Sequence, residues 1–201
     1  MDSDSGDPTV IGRRGSYAKG VARRQEILDR AIEVFQERGA DGTSLRRIAE
    51  AIGVSHAALL HYFDSREQLL VAVYEHAEAK RAGAPDVPEP GAVQGMVDAA
   101  TRNVTVPGLV ELYSTLVASS LEAGSEHSKA FFTRRFEGVR GDVAARLRAE
   151  QAAGTVRTDV DADQVAAIIV AASDGLQIQW LLDPTIELER TLGVLGTLLR
   201  S

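Results

Sequence analysis

Across 201 residues the chain carries 44% hydrophobic and 25% charged side chains, enough apolar material for a packed core and too much for a disordered polymer. It has no cysteine, which excludes disulfides, thiolate zinc sites and cysteine nucleophiles and is compatible with a reducing compartment. The net charge of −7 is unevenly placed: residues 1–8 hold three acids, residues 9–66 ten Lys or Arg against seven acids, and residues 67–201 twelve against nineteen. The net-basic segment is N-terminal, and a polyanion is expected to be met there.

The start is acidic, with no basic n-region or apolar h-region, and the longest apolar run, Val165 to Ala172, is shorter than the ~20 residues of a spanning helix. A cytoplasmic protein with no membrane partner is expected. Residues 1–21 read as a flexible arm, acidic to Asp7 and then basic and glycine-containing, with Arg13, Arg14 and Lys19 among its cations. From Ala22 to Gly39, Ile27, Leu28, Ala31, Val34 and Phe35 recur at helical spacing, and Gly39 supplies a stop. Thr43 and Ser44 are N-cap residues for a second, shorter helix that buries Leu45, Ile48, Ala49 and Ile52, and Gly53 breaks it. Ser55 caps a third helix through Leu59 to Tyr62.

Asp64 and Ser65 interrupt that helix. Ser65 with Gln68 matches a capping box for a fourth, starting at Arg66 or Glu67 and carrying Leu69, Leu70, Val73 and Ala77. After Gly83, Pro85, Pro88 and Pro90 prevent regular helix and mark a boundary. Further helices are expected from Ala92 to Asn103, Gly108 to Ala123, Glu126 to Ala153, Ala162 to Leu182 and Thr185 to Leu199. No alternating strand pattern competes, so the expected fold is all-α with about nine helices.

A short helix, a glycine turn and a second short helix between Ser44 and Phe63 form the arrangement that sets a recognition helix in the DNA major groove. Ile48, Ala49, Val54, Leu59 and Phe63 form the wedge between the two helices, with Ala49 small where they cross. The outward positions of the third helix are His56, Ala57, Ala58, Leu60 and His61. Its alanines are short enough for close approach to base edges, and apolar groups there can meet thymine methyls.

The run from Thr43 to Ser55, then Leu59, Tyr62, Phe63, Ser65, Arg66, Glu67, Leu69 and Leu70, strongly resembles the TetR family of transcriptional regulators. The likeness covers Ala22 to about Ala77, including Val34 to Gly39. Beyond that the chain is similar in length, helicity and the stretch from Asp174 to Leu182. The resemblance implies an N-terminal helix-turn-helix DNA-binding domain with its linking helix (residues 22–82) and a C-terminal effector-binding and dimerisation domain (83–201).

It also implies base reading by Arg46, His56, Ala57 and Ala58, with Leu60 beside them, and phosphate binding by Thr43, Ser44, Tyr62, Arg66 and Lys19. Arg46 suits guanine, because its fork can take O6 and N7 together. The family often has an aromatic where Leu60 stands and a lysine where Arg66 stands; Leu60 cannot donate a hydrogen bond to phosphate. Arg13 and Arg14 on the arm could enter a neighbouring minor groove.

Other motifs read as ordinary structure. Asp159, Asp161 and Asp163 mimic the start of a calcium loop, but Gln164 replaces the needed glycine and Val170 the bidentate Glu, so the carboxylates are expected to favour the next helix's N-terminus. His56 and His61 have the wrong spacing for a metal pair, and no acid-base constellation appears, so no metal, cofactor or enzyme activity is expected.

In the C-terminal part, Met96, Leu112, Tyr113, Leu116, Phe132, Phe136 and Trp180 read as core or as pocket lining. Tyr113, Asp174, Gln177 and Trp180 are the groups suited to orient a largely apolar effector. Ile168, Ala172, Gly175, Gln179, Leu188, Leu192 and Leu195 offer more apolar face than one helix pair needs, and by resemblance form a homodimer interface.

The expected function is a regulator, repressor by family default, released from a pseudo-palindromic double-stranded operator by an unknown small-molecule effector. Two alternatives stay open: a DNA-binding dimer with no effector, and a helical small-molecule-binding protein with a vestigial reading head.

Overall fold

The computed structural model describes residues 11–38, 45–81, 90–106 and 108–201. Nine α-helices run through them: α1 (Ile11–Arg38), α2 (Leu45–Ala51), α3 (His56–Tyr62), α4 (Arg66–Arg81), α5 (Ala92–Val104), α6 (Leu109–Ser119), α7 (Glu126–Ala152), α8 (Ala162–Leu182) and α9 (Leu188–Leu198). Thr43, Ser44 and the proline-bearing boundary at Pro85 and Pro88 lie outside the described residues, as do the side chains of Arg13, Arg14 and Phe35.

Helix α1 corrects one expectation. It begins at Ile11, so Arg13 and Arg14 lie on its first turns and not on a flexible arm. Its packed stripe starts at Ile27. The preceding stretch, arginine-bearing and free of proline though it contains Gly12, Gly15 and Gly20, extends a helix already nucleated, and extension fixes one residue per added bond.

Ile27, Leu28 and Ala31 of α1 bury against Ile48 and Ala49 of α2, Leu59 of α3 and Phe63. The turn between α2 and α3 is closed by a Schellman motif: the Val54 N–H donates to the Ala49 carbonyl at 2.9 Å and the Gly53 N–H to that of Glu50 at 3.2 Å. Gly53 takes φ 71°, the left-handed conformation this cap requires. Arg30 Nη1 donates to the Ile52 carbonyl at 2.9 Å, tying α1 to the same turn. Ser55 caps α3, its Oγ accepting from the Ala58 N–H at 3.0 Å.

Ser65 Oγ accepts from the Gln68 N–H at 3.0 Å, while Gln68 Oε1 accepts from the Asp64 N–H at 2.6 Å, one residue earlier than the usual reciprocal partner. Leu69 to Tyr74 of α4 are all buried. A helix buried around its whole circumference must be packed from two sides, and α4 is: α1 covers one side, α6 and α7 the other. Leu112 and Leu116 of α6 and Phe132 of α7 therefore share one core with the reading head.

Two further cores complete the C-terminal part. Ala144 and Leu147 of α7 pack on Ala166 and Ile169 of α8. Val97 and Ala100 of α5 pack on Leu188 and Leu192 of α9. Helices α6 and α9 are shorter than expected: Gly124 at φ 90° turns the chain after α6, and Asp183 Oδ1 accepts from the Thr185 N–H and hydroxyl at 3.0 and 2.6 Å, holding a turn before α9.

The three aspartates before and within α8 have separate structural tasks. Asp159 pairs with Arg157 and Asp163 with Arg148, each at 2.5 Å, and Asp161 caps α8 by accepting from the Gln164 N–H at 2.9 Å. Helix α8 itself is long and apolar enough to cross a bilayer by length and composition. No single apolar run in the sequence reveals this, because Ser173, Asp174 and Gln177 divide it. Those same residues face inward, and α8 packs against α5, α6, α7 and α9.

Replacing Gly53 by alanine would place a Cβ 3.7 Å from Arg30 Nη1, an ordinary contact, so its cost is backbone strain alone. Gly53→Ala is expected to destabilise the reading head by about 1–2 kcal/mol, measured as a lowered denaturation midpoint in urea with α8–α9 contacts unaffected.

Candidate nucleic-acid interface and effector cavity

The helix-turn-helix exposes a compact set of side chains. On α2, Arg46 and Arg47 are exposed, and Arg46 Nε lies 3.3 Å from Glu50 Oε1. On α3, His56, Ala57, Leu60 and His61 are exposed, Ala58 and Tyr62 are half-buried, and Leu59 is buried. The His61 and Tyr62 rings meet edge to face at 5.1 Å. Arg66 is exposed at the start of α4, and Lys19 is exposed on α1. Arg24 lies over the Phe63 ring at 5.0 Å, adding a cation beside the end of α3 that the motif reading missed.

A cavity of about 340 Å³ opens between α4, α5, α7 and α8. Of the nine residues expected to line a pocket, Met96, Asp174 and Gln177 line this one. Tyr113 lines an adjoining void of about 20 Å³ that shares Asn103, Arg135, Asp174 and Gln177 with it. Leu112, Leu116 and Phe132 instead belong to the core around α4, Phe136 packs between two cores, and Trp180 packs beside α5 and α9.

The lining is also more polar than expected. Glu78, Arg102, Asn103, Arg135 and Ser173 contribute to the wall, none of them a sequence candidate. Arg135 signals itself only by falling three and four residues after Phe132 and Phe131, on the apolar side of α7.

These groups form one network. Arg135 grips Glu78 through Nη2 at 2.8 Å and Nε at 3.2 Å, and Tyr74 donates to Glu78 Oε1 at 3.0 Å. The Arg135 guanidinium sits 5.4 and 5.2 Å from the Tyr74 and Tyr113 ring centres, whose rings stack at 5.5 Å. Tyr113 donates to Asp174 Oδ2 at 2.9 Å. Asn103 donates to Gln177 Oε1 at 3.0 Å, and Gln177 Nε2 reaches the Ser173 carbonyl at 3.2 Å.

Burial pushes the Asp174 carboxyl above the usual aspartate range, against the opposing pull of the Tyr113 hydroxyl and the Arg135 charge. Burial and the neighbouring Asp174 charge likewise raise the Tyr113 phenol, keeping it a donor. Burial disfavours the Arg135 cation, but its bonds to Glu78 and the nearby tyrosines more than offset this.

On the far side of α8 lies an apolar surface. Ile168 (59% exposed), Ile178 and Leu182 of α8 and Val194 and Leu198 of α9 are exposed. Between the two helices runs a groove lined by Ala172, Gly175, Gln179 and Leu195. Of the expected interface residues, Leu188 is not on this surface and Leu192 lies at the floor of the groove. They are 6% and 0% exposed, because α9 turns them inward onto α5.

A Schellman-closed turn between two short helices, with the second helix presenting an exposed face, defines a helix-turn-helix DNA-binding regulator. The profile described as bacterial regulatory proteins, tetR family, matches residues 27–73, and that described as BetI-type transcriptional repressor, C-terminal, matches residues 110–201. The transcriptional repressor AcnR of Corynebacterium efficiens is 30% identical over 158 residues, covering 78% of this chain and 81% of the relative. The regulator RutR of Escherichia coli is 46% identical over 65 residues, 32% of this chain and 31% of its own.

A TetR regulator from Haloarcula marismortui superposes with a TM-score of 0.74 at 20% identity, covering 90% of this chain and all of that one. A Saccharomonospora viridis regulator solved in complex with choline gives 0.62 at 22% identity, covering 87% and 95%. The chain belongs to the TetR family, a family of DNA-binding transcriptional regulators, and its C-terminal part is of a repressor type.

The raised Asp174 pKa fixes the sign of a pH effect. A carboxyl that holds its proton more tightly when folded makes the native state bind more protons than the unfolded chain between the ordinary value of 3.8 and its raised one. The charged form that exists above that window is thus a burden on folding. Asp174→Asn is expected to match or exceed the wild type in melting temperature at pH 7, with the gap closing as pH falls through the raised pKa.

Proposed function

We propose that the protein acts as a homodimer that occupies a pseudo-palindromic operator and leaves it when a small molecule fills the cavity beside Asp174. The observation that carries this reading is the position of Glu78. It stands on α4, the helix that follows the recognition helix directly, and forms part of the cavity wall through its pair with Arg135. A ligand that competes for either group acts on α4. It shifts the equilibrium by the difference in its affinity for the bound and released forms, and by no more.

Under this reading Arg46 leaves Glu50 for a guanine edge, His56, Ala57 and Ala58 face the groove, and Tyr62, Arg66 and Lys19, with Thr43 and Ser44, take phosphates. Arg13 and Arg14 approach DNA from a helix and not from an extended arm. The apolar surface of α8 and α9 joins that of a second copy in a four-helix bundle, which sets the spacing of the two recognition helices. The wall is apolar over most of its area, with charged and amide groups set into it, which suits a largely apolar molecule carrying a polar group. Glu78 and Asp174 are matched in the wall by Arg102 and Arg135, so charge alone selects no sign of ligand, and choline, present in the neighbour of similar fold, is a rational first probe.

Selection of duplexes from a random pool at a stated moderate salt is expected to enrich one near-palindromic site. Small cations, beginning with choline, are then titrated against that complex; unchanged operator affinity at saturation, confirmed by calorimetry, would sink the coupling. Glu78→Gln is expected to bind both operator and effector within a few-fold of wild type yet to lose release. Val194→Glu combined with Leu198→Glu is expected to sediment as a monomer and to lose at least ten-fold in operator affinity, order of magnitude, with each half-site bound alone.

A further inference from the structure

The recognition helix carries an exposed leucine at the middle of its outward face. At 3.6 residues per turn, Leu60 and Ala57 fall between His56 and His61 on the exposed side of α3, away from buried Leu59. Leu60 is 42% exposed and packs into none of the cores. The groups expected to bind phosphate, Tyr62, Arg66 and Lys19, stand at other positions. The central strip of the face therefore holds no hydrogen-bond donor or acceptor side chain.

We propose that Leu60 is a specificity-determining residue that closes on the C5-methyl group of a thymine. In the major groove the base edges offer donors, acceptors and one apolar group, the thymine methyl. A leucine pressed against any other edge would desolvate polar atoms without returning a hydrogen bond. Ala57, on the same strip and three residues earlier, is short enough to let the Leu60 side chain reach the base edge. The flanking histidines are left to read polar edges on either side, so the half-site carries a thymine at its centre. This inference rests on the operator-reading function proposed above.

The test starts from the duplex enriched by the selection just described. Each thymine pair related by the two-fold axis is replaced in turn by deoxyuridine, which removes the methyl and nothing else. One pair is expected to weaken wild-type binding by about four-fold per half-site, the value of one buried methyl-sized group. In Leu60→Ala the enriched duplex itself binds more weakly, and deoxyuridine at that pair has no further effect, while other positions behave as in wild type. An unchanged melting temperature for Leu60→Ala separates this from a folding defect. Tolerance of deoxyuridine at every position, or an undiminished penalty in Leu60→Ala, overturns the role of Leu60 while leaving operator reading intact. Absence of any enriched duplex overturns operator reading and, with it, this role.

Discussion

Helix α4 has to satisfy two cores at once, and much of the molecule follows from that constraint. Leu69 to Tyr74 have no free side: α1 occupies one and α6 with α7 the other. Polar anchors fix the helix along its length. Glu67 accepts from the backbone and hydroxyl of buried Ser128 at the start of α7, His76 meets Asp29 of α1 at 2.7 Å, and Glu78 meets Arg135. Packed interiors resist continuous deformation, so a shift in the C-terminal helices reaches the reading head as a displacement of this whole helix. Glu67 and Glu78 tie α4 to one layer; His76 ties it to the other.

The electrostatics of the cavity follow from the same packing. Placing Arg135 beside α4 removes a cation from water, which is costly unless its donors are met. Glu78 meets it with both oxygens, and two tyrosine faces cover it. Asp174 is less well provided. Its Oδ2 accepts from a neutral phenol, that of Tyr113. A half-buried carboxyl at the cavity wall gains from a donor brought by a ligand.

How much of this was legible in the sequence differs by scale. Helix α8 has the expected bounds, and Ser55 and the Ser65–Gln68 pair mark real helix starts, because caps are local chemistry written within four residues. The Asp174–Tyr113 contact joins two residues both selected as candidates, yet nothing local pairs them; they are 61 positions apart. Glu78 and Arg135 were invisible as a pair for the same reason, 57 positions apart, each reading as a solvated charge on its own helix. Leu188 shows a different limit: its periodicity identifies an apolar face, but periodicity does not say whether that face meets α5 or a second subunit. Similarly, the apolar stripe of α1 starts at Ile27, whereas the helix starts at Ile11.

Consecutive residues of α8 belong to different worlds. Ser173, Asp174 and Gln177 border the cavity, while Ala172, Gly175 and Gln179 border the groove on the opposite surface. Since one rigid helix carries both sets, a rotation that opens the first must turn the second by the same angle. Under the mechanism proposed above, with the assembly built on that surface, occupancy of one subunit would change the geometry presented to the other. The two cavities are then thermodynamically linked sites, and a binding isotherm for the pair will not reduce to a single independent constant.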